Sequence, residues 1–125
     1  MTNGIFTHNS RLDTEFLNSI YENDNEHAVI VFEQFLINYP VLMSEIEESF
    51  IAGNTEFLRQ KVHKLKPTLS FVGLTLAAGK AEMIEKKCKE TYEVGQLTDL
   101  YNDLKMVLRE LIPAVEEEFE SLKAY

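Results

Sequence analysis

A chain of 125 residues, 45% apolar and 26% charged, is one domain's worth of sequence and long enough to bury a core without staples. It has no run of about 18 apolar residues, its start MTNGIFTHNSRLD lacks the pattern of a secretion signal, and its lone Cys88 excludes an internal disulfide, so a cytoplasmic protein with no membrane span is expected. The net charge of −9 is uneven: residues 1–58 carry one base against ten acids, 59–89 eight bases against two acids, and 90–125 three bases against nine acids.

Residues 1–11 read as a flexible N-terminal segment and 12–125 as a helical domain. A short helix is predicted from Asp13, a good N-cap, to about Glu22, with Leu12, Phe16, Leu17, Ile20 and Tyr21 as its stripe. NDNEH breaks it. A long acidic helix follows from about Glu26 to Ile51, striped by Val29, Phe32, Phe35, Leu36, Tyr39, Leu42, Met43, Ile46 and Phe50. Pro40 is expected to kink it, because proline removes a donor while the apolar period continues beyond. AGNTEF then reads as a stop and a start: Gly53 ends one helix and Asn54 caps the next.

The third helix is predicted from about Thr55 to Val72, with Gly73 marking its end. The fourth runs from about Thr75 to Thr91 with a small-residue face of Ala77, Ala78, Ala81 and Cys88. YEVGQ is the next break. The last helix covers about Gln96 to Leu122, striped from Leu97 to Leu122 by threes and fours, with Pro113 interrupting it late. No segment alternates with period two. The expectation is therefore all-α: an antiparallel, up-down-up-down four-helix bundle with a short additional N-terminal helix, and a monomer.

Within VHKLKPTLSFVGL (62–74) the third helix carries the chemistry of interest. At about 100° per residue, Leu58, Val62, Leu65, Leu69 and Val72 fall within an arc of roughly 80°. His63 lies roughly 135° from that arc's middle and should face solvent. Arg59, Lys66, Pro67 and Ser70 share its strip, and Lys64 is on another side. A solvent-facing neutral imidazole flanked by cations can accept a phosphoryl group, a reaction that needs positioning and charge stabilisation more than covalent help. The competing reading is an incidental exposed histidine on a solvated helix face.

Other chemistry finds less support. His8 sits in the polar N-terminal segment and His27 at a helix start, where both read as incidental. Metal sites lack their Glu-x-x-His pair or clustered Cys and His, so no metal or other cofactor is expected. Cys88 reads as a buried thiol. EKKCKE is basic, but a sequence pI of about 4.8 and the absence of a DNA-reading helix pair argue against nucleic acid.

VHKLKPTLSFVGL resembles the signature of histidine-containing phosphotransfer (HPt) domains: a histidine (His63), a lysine three residues on (Lys66), a small residue next (here Pro67), and a glycine about ten residues after the histidine (Gly73). The helix order over about residues 12–122 is also similar to that family. The resemblance implies a carrier in a multistep two-component phosphorelay, not an enzyme. His63 would take a phosphoryl group from a receiver-domain aspartate and pass it to another, and Lys66 would stabilise the phosphohistidine. It implies receiver domains of response regulators or hybrid histidine kinases as partners, with magnesium on the receiver and contacts at Arg59, Lys64, Pro67 and Ser70. The family usually has glycine where this chain has Pro67 and Ser70. No kinase or receiver segment is present, so a free-standing carrier or a piece of a larger protein is expected. The alternatives are a non-phosphorylated helical adaptor that binds a receiver, and a basic-patch binder of nucleic acid or an anionic surface.

Overall fold

The computed structural model describes residues 6–125. Among them no strand occurs; five α-helices pack together: α1 (Thr14–Tyr21), α2 (Asn25–Ala52), α3 (Thr55–Phe71), α4 (Thr75–Cys88) and α5 (Thr98–Ala124). A 3₁₀ turn, Val94–Leu97, leads into α5.

The helix starts follow from side-chain acceptors placed where backbone N–H groups lack partners. Asp13 accepts from the Phe16 N–H at 3.0 Å, Asp24 from His27 at 3.1 Å and Asn54 from Phe57 at 2.9 Å. Gly53 ends α2 in the left-handed region at φ 65°. Asp13 also accepts from the Thr75 hydroxyl at 2.8 Å, so one carboxylate joins the starts of α1 and α4. These partners hold its pKa below the usual carboxylate value, the Phe16 N–H contributing most.

α4 and α5 differ from expectation. α4 stops at Cys88, short of Thr91: the Lys89 and Glu90 N–H groups fold back three residues, and the Thr91 hydroxyl takes the Glu93 N–H, diverting the backbone from helix. α2 runs on through Pro40, as its continuing apolar period predicts, whereas α5 runs unbroken through Pro113, where an interruption was expected, to Ala124. Both prolines are exposed, as is Pro67 inside α3, so water can take the carbonyl each leaves unpaired.

α2 packs on α3, α3 on α4, α4 on α5 and α5 back on α2. Their predicted stripes meet inside this ring: Phe32, Ile46, Leu58, Val62, Leu65, Leu69, Leu104 and Val115 are fully buried. The small face of α4 (Ala77, Ala78, Ala81) lets α3 approach closely. By length and composition alone α2 is also apolar enough to cross a membrane. It carries more apolar side chains than the core stripe needs, leaving Ile30, Ile37 and Val41 each about 60% exposed.

Of the segment expected to be flexible, residues 1–11, those from Phe6 on lie packed on the domain; residues 1–5 lie outside the described residues. Phe6 and His8 are buried against the end of α5. His8 Nδ1 lies 2.5 Å from Glu118 Oε2, the Asn9 N–H donates to Glu118 Oε1 at 2.9 Å, and Arg11 pairs with Glu117. Glu118 is 2% exposed, and a carboxylate at that depth requires such partners.

Candidate functional site

α3 presents His63 outward because Val62 and Leu65 on either side of it are drawn fully into the core. Its side chain is 65% exposed. The ring is nonetheless held: His63 Nδ1 lies 2.7 Å from Glu85 Oε2 on α4. Lys66, one turn further along α3, donates to the other oxygen of the same carboxylate at 2.8 Å. Lys66 also donates to Glu82 Oε1, and Glu82 in turn faces Lys86.

Glu85 is 7% exposed, so this shared carboxylate is a buried charge satisfied on both oxygens. The Lys66 ammonium, and after it the His63 ring, pull its pKa below the usual carboxylate value against the opposing effect of burial. It is therefore ionised at neutral pH and can only accept. In the neutral ring the His63 proton must then sit on Nδ1, which leaves the Nε2 lone pair without a partner among the described residues. A histidine whose tautomer is set by a buried carboxylate, with its second nitrogen in solvent, is arranged as a nucleophile.

The cations that flank His63 are partnered. Arg59 is held by Glu56 on its own helix, with its pKa raised chiefly by that hydrogen bond. Lys66 is held by Glu82 and Glu85, and its pKa is likewise raised. Of the eight bases between 59 and 89, Arg59, Lys61, Lys66, Lys86 and Lys87 all lie within ion-pair distance of a glutamate. The basic stretch is thus largely neutralised, which weakens its reading as an anion-binding patch. Lys64 and Pro67 are exposed and Ser70 is half-buried; Pro67 and Ser70 lie one and two turns beyond His63 on α3. Cys88, one turn beyond Glu85, is buried, and burial pushes its thiol up to about 11, far from a reactive thiolate.

Two features escaped the sequence reading. Glu82 and Glu85 are the two acids inside the basic stretch, three residues apart on one face of α4, and that isolation was the available signal. The second is an apolar groove of about 240 Å³ between α2 and α3, lined by Ile30, Phe35, Tyr39, Thr68 and Phe71 among others. The surplus apolar residues of α2 were its trace. Among the described residues no group of three or more His, Cys, Asp or Glu is placed to hold a metal. No family model, curated protein or solved structure matches the chain.

Proposed function

We propose that the chain is a histidine phosphotransfer protein of a multistep phosphorelay, carrying a phosphoryl group on His63 between receiver-domain aspartates. The observation that carries this reading is the hydrogen bond from His63 Nδ1 to the buried Glu85, with Nε2 left in solvent. In the proposed step the Nε2 lone pair attacks the phosphorus of an aspartyl phosphate. The Nε2–P bond forms, the P–O bond to aspartate breaks, and its electron pair leaves with the aspartate carboxylate. Positive charge grows on the ring as Nε2 gives up its pair, and Glu85 stabilises it through the Nδ1 proton. Return transfer to a second aspartate is the same path reversed. The magnesium and acidic pocket belong to the receiver.

On this reading the four long helices form an antiparallel up-down-up-down bundle crossed by α1, and the monomer works in the cytoplasm. The receiver docks over His63 with Lys64, Pro67 and Ser70 at the contact and Arg59 at its edge. The apolar groove beside Phe71 extends that contact, and its burial would help hold the complex. The test is incubation with a phosphorylated receiver and magnesium, followed by assay for acid-labile, alkali-stable phosphate. Wild type is expected to label and His63→Gln to label not at all. Equal labelling of His63→Gln, or failure of wild type across a panel of receivers, overturns the carrier. Docking without labelling would make the chain an adaptor.

A further inference from the structure

The phosphocarrier reading leaves open how Lys66 meets a phosphoryl group when its ammonium already binds two carboxylates. The two are not equivalent. Glu85 is buried and shared with His63, so releasing it would strand a charge away from water. Glu82 is 39% exposed, and its second oxygen already faces Lys86 at 3.7 Å, so water and Lys86 can take it over when Lys66 leaves. Lys66 itself is 29% exposed and has room to turn. Resting on that reading, we infer that Glu82 is a positioning residue: a releasable latch that competes with the phosphoryl group on His63 for the Lys66 ammonium.

Lys66 keeps its bond to Glu85 and swings its other donors from Glu82 to the phosphoryl oxygens. The latch makes the phosphorylated state less favourable than a free lysine would. It thereby shortens the life of the phosphohistidine and keeps the phosphoryl group easy to pass on. Glu82 touches neither the phosphoryl group nor Nε2; it acts through Lys66.

The test is Glu82→Gln, which keeps size and removes the charge. Wild type and variant are labelled from a phosphorylated receiver with magnesium and freed of the receiver, and loss of phosphate is followed. Glu82→Gln should lengthen the phosphohistidine half-life about two- to fivefold, the range an exposed ion pair supplies. It should shift the receiver–carrier equilibrium toward the carrier by a similar factor. In a Lys66→Ala background the same change should have no effect, because the latch has nothing left to hold. A wild-type half-life in Glu82→Gln overturns the latch and leaves the carrier standing. An equal gain in the Lys66→Ala background also overturns it, since plain charge repulsion would then explain the gain. Absence of label on wild type overturns the carrier and the latch together.

Discussion

At the scale of single residues, Glu85 organises the site. It receives His63 and Lys66 on its two oxygens and so ties the imidazole and the ammonium of one helix to the neighbouring helix. Glu85→Gln keeps the shape but can offer either an oxygen or an N–H to Nδ1, so the tautomer is no longer imposed. Labelling of His63 should slow by about tenfold or more. The imidazole ¹⁵N shifts should move from an Nδ1–H pattern to a mixture of tautomers; an unchanged pattern would remove Glu85 from the argument. The same cluster makes a pH prediction. Lys66 and His63 depress the Glu85 pKa, so the stability it contributes is present above the ordinary carboxylate value of 4.5 and is lost as pH falls through its lower folded value. Lys66 is raised, so its contribution is present below its ordinary 10.5 and is lost as pH rises through its higher folded value. The stability gap between wild type and Glu85→Gln should close as pH falls below the ordinary carboxylate value of 4.5 and as it rises above the ordinary lysine value of 10.5. Urea denaturation across pH measures it.

At the scale of elements, the α3–α4 corner holds that cluster together, and Gly73 makes the corner. Its φ is +80°, and a Cβ there would stand 2.9 Å from both Leu12 Cβ and Leu17 Cδ1. Its carbonyl accepts the Asp13 N–H at 2.9 Å, which seats the start of α1. The glycine that carries part of the family resemblance thus has a local structural reason: only a residue without a side chain fits both the backbone angle and the approach of α1. Gly73→Ala should cost about 1–3 kcal/mol from the backbone alone, with crowding added. The urea midpoint should fall accordingly, and a midpoint within error of wild type would contradict the packing described. Because the clash falls on Leu12 and Leu17 and not on the His63–Glu85 bond, the folded fraction should still label.

At the scale of the whole molecule, the chain's two ends close on each other. The N-terminal strap from Phe6 to Leu12 lies against α5, and His8 and Asn9 together satisfy Glu118. His8→Ala would leave one Glu118 oxygen buried without its partner, which should destabilise the protein by about 1–3 kcal/mol. Pairing it with Glu118→Leu, which removes the orphaned charge, should recover part of the loss. Calorimetry of the two variants checks this, and His8→Ala melting with wild type would show that the strap contributes nothing. The strap covers the end of α5, whereas the α2–α3 groove stays open.

The sequence by itself determined the positions of the helices, three of their caps, the residues that fill the core and the outward direction of His63. Each of these depends on neighbours within a turn or two, so periodicity and capping chemistry report them directly. It led too far at the end of α4, where Thr91 diverts the backbone, and at Pro113, where the helix continues and water can replace the lost hydrogen bond. The tertiary structure alone decided which partners the charges have. His63 and Glu85 are 22 residues apart in the chain, and His8 and Glu118 are 110 apart. No local period connects such pairs. They meet because hydrophobic packing brings α3 against α4 and the N-terminal strap against α5. That packing makes Glu85 a buried carboxylate that imposes a tautomer on His63, and Lys66 a partnered cation instead of a free one.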